Sequence, residues 1–275
     1  MNNMFNSDLE VQKNPVDVLA LPTGSYASRA AFAFRGGSFF DKRDFAATAV
    51  LVRHPAGDLL IDSGFGRDFE RHLQMLPAFR RSAHTVEMPV IDRLLAAGYD
   101  LSRLAAGLPT HSHWDHVSGI ADLDVPVLIT DAEIGYAGHA KDDRVFAEVS
   151  RDRRLVTYAF DDGPFEGFPV SHDHYGDGSI VIVPAAGHTT GSVIVFVRTP
   201  GEKYAFIGDL AWQLEGVQRN VDRPWLMRRL ADSDPARVRE DLARVSALAG
   251  RYRVIPAHDA RAFACIPVMS EEALR

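Results

Sequence analysis

Thr110-His111-Ser112-His113-Trp114-Asp115-His116 is the densest polar cluster of the chain. It follows the short apolar run 104–108 and precedes Val117-Ser118-Gly119-Ile120. In an extended segment, residues two apart point the same way, so His111 and His113 can grip one cation together. Asp115 and His116 fall where the chain turns into a helix and aim at a neighbouring point. Neutral imidazole and carboxylate are the donors that a borderline cation such as zinc takes. A solvated polar loop is the competing reading, and four such residues in this order rarely arise by chance in a chain with eleven histidines.

Two or three loop ligands rarely complete a site, and the best candidates for the remainder each sit just after a strand, where a ligand is held rigidly. His188 lies in Ala186-Gly187-His188-Thr189-Thr190-Gly191-Ser192 after the run 180–183, and Asp209 lies in Ile207-Gly208-Asp209 after 204–206. His258 lies in Pro256-Ala257-His258-Asp259 after 253–255. Alone, each reads as a loop residue making ordinary hydrogen bonds. Together with the first cluster they supply seven ligands, enough for two metals with one open bridging position.

The rest of the sequence sets the frame. In 275 residues, 46% hydrophobic and 24% charged side chains describe a globular protein with an ample core, and exclude collagen-like, disordered and disulfide-framework classes. The longest apolar runs, such as 46–52 less its threonine, are far too short to span a membrane. The start, 1–13, has no apolar core of a secretory signal, and the single Cys265 fits a reducing compartment. Both favour the cytoplasm. A net charge of −7 argues against nucleic acid as partner.

Strands are expected at 16–21, closed by Pro22-Thr23-Gly24, and at 46–53, turning through Pro55-Ala56-Gly57-Asp58 into 59–61 as a hairpin that ends at Asp62-Ser63-Gly64. Further strands are expected at 104–108, 125–129, 155–160, 179–183, 193–197, 204–207 and 252–255. Helices are expected in part of 65–81, at 90–97 with Gly98 as its stop, from Ala132 with Asp131 as cap, and at 235–248 with Pro235 in the first turn and Gly250 as its stop. Strands come in two groups, each with hairpins and each followed by helices. That pattern suggests an α/β protein of two packed sheets with helices outside, without linker or repeat, so that 1–275 reads as one domain.

The order H-x-H-x-D-H, then Gly-His-Thr, Gly-Asp and a late His resembles the metallo-β-lactamase superfamily across residues 111–258, and Asp62 matches an upstream aspartate of that pattern. The resemblance implies a four-layer αββα sandwich with two divalent transition-metal ions at one edge, between the sheets. It implies that His111, His113 and His188 hold one ion, that Asp115, His116 and His258 hold the other, and that Asp209 bridges them. Zinc is the expected ion, with manganese, iron and cobalt as alternatives. Asp62 would orient a ligand through a hydrogen bond, or simply cap its strand-to-loop turn.

Two such ions share a hydroxide that attacks a carbonyl or phosphoryl centre, and Asp115 is placed to carry the proton to the leaving group. The bridging Asp209, the chain length and Gly176-Asp177-Gly178 are most similar to the N-acyl-homoserine lactonase branch. The implied substrate is a small lactone or carboxylic ester. A phosphotriester or aryl ester hydrolase is the runner-up, and a non-catalytic binding protein the reading from another class. One departure stands out: those lactonases carry a tyrosine three residues beyond the bridging aspartate, where this chain has Trp212. Indole lines an apolar pocket but does not replace a phenol as a proton donor.

Other residues receive plainer readings. His172 and His174 are expected on an exposed polar loop without a metal role; His54, His72, His84 and His139 receive none, and Cys265 is read as an inert buried thiol. The segment 65–86, with Phe65, Leu73, Met75, Leu76 and Phe79, packs on its own domain or forms a lid or homodimer contact. Trp212, Leu214, Trp225 and Leu226 floor a substrate pocket or belong to the core.

Overall fold

The computed structural model describes residues 16–81, 83–139 and 144–274, excluding the side chain of Phe79. The expectations placed on 1–13 lie outside these residues. A seven-stranded sheet contains β1 (Asp17–Arg29), β2 (Lys42–Arg53), β3 (Asp58–Ile61), β4 (His84–Val86), β5 (Leu104–Leu108), β6 (Val127–Ile129) and β7 (Leu155–Thr157), in the order β4-β1-β2-β3-β5-β6-β7. A five-stranded sheet contains β8 (His172–Asp173), β9 (Ile180–Pro184), β10 (Val193–Arg198), β11 (Lys203–Phe206) and β12 (Arg253–Ile255), in the order β12-β11-β10-β9-β8.

Period-two alternation explains the four layers. Val18 and Ala20 of β1 and Ile180 and Ile182 of β9 face each other in the central core, together with Val50, Leu59, Val195 and Phe206. Leu19 and Leu21 point the opposite way and bury against Val90, Ile91 and Leu94 of the helix Val90–Ala96. Val181 and Val183 likewise turn outward onto Val238, Leu242 and Val245 of the helix Pro235–Ser246. Strands buried on both faces read as continuous apolar runs, which is why 46–52 shows no polar alternation. This is the αββα sandwich. No helix among the described residues is long and apolar enough to cross a membrane.

Strand direction gathers the loops. β3 and β5 run parallel, so the segments that follow them leave from one edge. In the second sheet β10 is antiparallel to both β9 and β11, and β12 is parallel to β11, so β9, β11 and β12 also share a direction. The loops holding Asp62, His111, His188, Asp209 and His258 each begin at the C-terminal end of one of these five strands.

Several local expectations needed correction. β1 does not stop at Pro22: a register shift between Pro22 and Gly24 carries it on to Arg29. The proline sits at the bulge, two positions before β4 begins to pair at Gly24, so no ladder donor is missed. The helix Asp131–His139 is capped one residue earlier than expected, because Thr130 Oγ1 accepts the Glu133 N–H at 3.1 Å. The helix Pro235–Ser246 is capped by Asp234, whose carboxylate accepts from Ala236 N at 3.0 Å and Arg237 N at 3.1 Å, and it ends short of Gly250. β7 ends at Thr157, short of Phe160.

Phe65, Phe69, Leu73 and Leu76 bury with Ala47 of β2, so the stretch after Asp62 packs on its own chain through the helix Phe69–Met75. Cys265 is exposed, contrary to the buried reading. Phe263, the last residue of the short helix Ala260–Phe263, and Ile266, three positions on, take the inward places, which turns Cys265 outward.

Candidate metal centre

The loop after β5 is fixed from below by Asp62. Its backbone N–H donates to the Leu108 carbonyl at 3.1 Å, and its Oδ1 accepts from Thr110 N at 2.7 Å. Its Oδ2 lies 2.8 Å from His116 Nδ1. His113 leads into the one-turn helix Trp114–Val117, where the chain bends as expected, so Asp115 and His116 face a different point from His111 and His113.

Two groups of donor atoms result. His111, His113, His188 and Asp209 each offer an atom to one group, and Asp115, His116 and His258 form the second. His113 Nδ1 lies 2.9 Å from His111 Nε2 and 3.0 Å from His188 Nε2. Asp209 divides its oxygens: Oδ2 is 3.3 Å from His188 Nε2 and 3.9 Å from His111 Nε2, while Oδ1 is 2.9 Å from His258 Nε2 and 3.4 Å from His116 Nε2. Asp115 Oδ2 stands 3.6 Å from His258 Nε2. All seven residues predicted from sequence meet at the sheet edge.

The donor chemistry fits metal ions. Atoms about 2 Å from a common tetrahedral centre stand about 3.3 Å apart, and the separations of 2.9–3.9 Å in the first group and 3.6 Å between Asp115 and His258 in the second bracket that spacing. His116 Nε2 and Asp209 Oδ1 are buried without any hydrogen-bond partner, an arrangement that costs free energy unless a cation takes their lone pairs. Each of the five imidazoles also has its other nitrogen held from outside. His111 Nδ1 faces Thr110 Oγ1 at 3.2 Å, His113 Nε2 faces Tyr136 Oη at 3.3 Å, and His188 Nδ1 faces Asp232 at 3.1 Å. His116 rests on Asp62, and His258 Nδ1 donates to the Ala46 carbonyl at 2.8 Å. Such contacts fix ring orientation and tautomer for a metal.

Charge follows the same geometry. Burial and neighbouring imidazoles push His111 and His113 well below the ordinary histidine range, so they stay neutral. Burial also opposes charging His116, yet Asp62 and Asp209 on either side outweigh it and raise its proton affinity. Asp209 is buried, but His258, His116 and His188 hold its carboxyl well below the usual range. The cluster thus keeps its carboxylate ionised and draws positive charge to it.

Several supporting residues escaped sequence reasoning. Glu133, 1% exposed, accepts from Ser112 N at 2.6 Å, Thr189 Oγ1 at 2.6 Å and Gly191 N at 3.0 Å, tying the His111–His113 loop to the His188 loop. A Cβ on Gly191 would come within 2.2 Å of Glu133 N, so glycine is required there. Buried Arg223 pairs with Asp232 at 3.1 Å, donates to the Asp209 carbonyl, and lies over the Trp212 ring with its centre 4.5 Å away. Tyr26 brings its hydroxyl to 3.4 Å from His258 Nε2. Thr130-x-x-Glu133 was readable as a capping box, but its carboxylate turns to the loops instead. Nothing local marks Arg223 or Tyr26.

A cavity of about 870 Å³ opens over the donor groups, within the size range of small-molecule sites. Trp212 lines it and donates Nε1–H to Asp209 Oδ2 at 2.8 Å. Trp225 and Leu226 do not line it: they are 65% and 56% exposed, and Met227 and Leu230 of the same helix, Trp225–Ala231, face the cavity in their place. Leu214 packs against the central core. His172 lies on strand β8, half-buried against Tyr158 rather than on an exposed loop. Burial lowers His174 to about 4. His172 belongs to a separate grouping with the exposed Asp161 and Asp162 and shares no donor with the seven.

A family model described as the metallo-beta-lactamase superfamily matches residues 43–258. The chain belongs to the metallo-beta-lactamase superfamily. A "Probable metallo-hydrolase" of Mycobacterium tuberculosis is 28% identical over 234 residues, covering 76% of this chain and 73% of the relative. Among solved structures, an N-acyl homoserine lactone hydrolase with N-hexanoyl-L-homoserine bound at its catalytic metal centre superposes with a TM-score of 0.72 at 15% identity, over 92% of this chain and 97% of that one. The dizinc quorum-quenching lactonase AidC does so at 0.64 and 15%, over 90% of each. Within the metallo-beta-lactamase superfamily the protein is therefore a metallo-hydrolase whose fold is close to that of these lactonases.

Proposed function

We propose that this metallo-hydrolase holds two divalent ions, zinc first, and opens a small lactone or carboxylic ester. The observation that carries the reading is the divided carboxylate of Asp209, with one oxygen toward His111 and His188 and the other toward His116 and His258. His111, His113 and His188 are assigned to one ion, Asp115, His116 and His258 to the other, and Asp209 to both. Ions so held supply a Lewis acid and a water acidified to near neutrality.

The chain's own groups do the rest. Trp212 Nε1–H holds Asp209 Oδ2 in place. Asp115 stands at the cavity wall, where its carboxylate can accept a proton from the attacking water and return it to the leaving oxygen. Tyr26 enters from β1 with its hydroxyl beside His258, and so offers a phenol donor to the substrate carbonyl oxygen that the indole at 212 does not supply. Phe45, Trp114, Leu73 and Leu76 give the cavity an apolar wall suited to an acyl chain or aryl group. Its single cysteine accords with a reducing, cytoplasmic setting.

Protein purified without chelator should carry two equivalents of transition metal per chain and hydrolyse acyl-homoserine lactones or aryl esters. Absence of bound metal would overturn the reading. Activity confined to a phosphotriester would overturn the lactone and ester assignment alone.

A further inference from the structure

The β1–β2 wall of the cavity carries a charge arrangement that the donor groups leave unexplained. Arg29 and Lys42 stand directly opposite each other in the strand register, and both line the cavity. Like charges directly opposite on neighbouring strands destabilise the pair. A carboxylate between them would relieve the repulsion, and none of the described residues pairs one with either. Arg29 makes one hydrogen bond, from Nη1 to the Phe39 carbonyl at 3.1 Å, and Lys42 makes no ion pair among the described residues. Carboxylates are not scarce, since acidic side chains number 37 against 30 basic ones. The adjacent Arg43 shows the contrast, with Asp41 at 2.7 Å and Glu215 at 2.9 Å.

Arg80 adds a further cation to the lining. Outside the metal-donor groups, Asp44 is the one carboxylate in the described lining. It pairs in register with Ala27, two positions nearer Tyr26 and His258, and so disfavours an anion at the inner level. Arg29 lies three residues outward from Tyr26, about 10 Å along the strand. Much of the remaining wall is apolar, from Phe32, Phe45, Trp212, Met227 and Leu230.

We propose that Arg29 and Lys42 form an anion subsite at the outer end of the cavity, and that the natural substrate is an ester or lactone whose apolar body ends in a carboxylate. This deepens the hydrolase reading of the metal centre and rests on it. The guanidinium fork fits a carboxylate with two parallel hydrogen bonds, and the ligand's charge removes the cross-strand repulsion.

The test compares two aryl esters of equal length on the zinc-loaded enzyme: p-nitrophenyl hexanoate, which is neutral, and mono-p-nitrophenyl adipate, which ends in a carboxylate. The adipate ester should be favoured about tenfold or more in kcat/KM, and less so as salt rises. In the double variant Arg29→Gln/Lys42→Gln the ratio should fall toward one, and Lys42→Glu should bring it lower than the wild-type ratio. No preference in the wild type, or an equal preference in the double variant, overturns the subsite.

Tryptophan fluorescence titration of the zinc-loaded protein with hexanesulfonate against hexanol reads binding without turnover. The sulfonate should bind about tenfold more weakly to the double variant. If that loss appears while neither ester is hydrolysed, the subsite stands and the hydrolase reading falls. If both esters are hydrolysed alike and the titrations coincide, the hydrolase reading stands and the subsite falls.

Discussion

Replacing Asp62 separates two roles that overlap in its position. Its backbone φ is +51°, in the left-handed region where asparagine and glycine are at ease. Asp62→Asn and Asp62→Gly therefore keep the turn and change only the side chain. The carboxylate accepts on both sides, from Thr110 N at 2.7 Å through Oδ1 and from His116 Nδ1 at 2.8 Å through Oδ2. An amide accepts on one side and donates on the other. With its oxygen toward Thr110, its NH2 forces the proton of His116 from Nδ1 to Nε2, the atom that faces Asp209 at 3.4 Å. A protonated Nε2 cannot bind a metal. With the amide flipped, NH2 meets the buried Thr110 N–H, and a stranded donor costs about 1–3 kcal/mol. Either way the ion proposed at Asp115, His116 and His258 loses, and outer partners of metal ligands are typically worth about 10- to 100-fold in affinity, which is about 1.4–2.7 kcal/mol. Chelator competition on each variant measures the affinity of both ions, and denaturant unfolding of the metal-free proteins measures stability separately. We expect the weaker ion to be lost in both variants. Second-ion affinity within about threefold of wild type in both would reduce Asp62 to a turn residue and refute the tautomer argument.

Two further perturbations test the surroundings of the site. Arg223→Met leaves Asp232, whose side chain is fully buried, without its guanidinium, and should lower unfolding stability by about 3–5 kcal/mol; Arg223→Met/Asp232→Leu should recover most of this while metal affinity stays low, because His188 Nδ1 has lost its partner, and a near-wild-type stability of the single variant counts against the pairing. Glu215 is opposed by burial, yet hydrogen bonds from Arg261 and Arg43 bring it down to about 2, so its contribution is complete above the unfolded carboxyl range near pH 4.5 and is lost as pH falls toward 2; the Tm gap between wild type and Glu215→Gln should be open at pH 7 and narrow toward pH 3, and a constant gap refutes the ionic account.

What could be read from sequence, and what could not, follows from how far each interaction reaches along the chain. The gathering of the seven candidate ligands was legible because each sits in a short motif just beyond an apolar strand, and the shared direction of those strands brings them together. The four-layer architecture was legible through the grouping of strands and helices. The edges of elements were less so, since Pro22 is a breaker by local rules and harmless only because β4 starts pairing at Gly24. Cys265 was misread because an apolar neighbourhood in sequence does not say which side of a turn faces inward. The supporting shell was the least legible. Glu133 is 58 residues from Gly191 and 21 from Ser112, and Arg223 reaches His188 through Asp232, so no local spacing could reveal either. Distant residues also set which nitrogen is free in four of the five histidines, the exception being His111, held by the adjacent Thr110. His188 and His116 present Nε2 because Asp232 and Asp62 take Nδ1, whereas His113 presents Nδ1 with Tyr136 at its Nε2. The candidate donors could be read locally, but the tautomers of all but His111 are set by contacts across the fold.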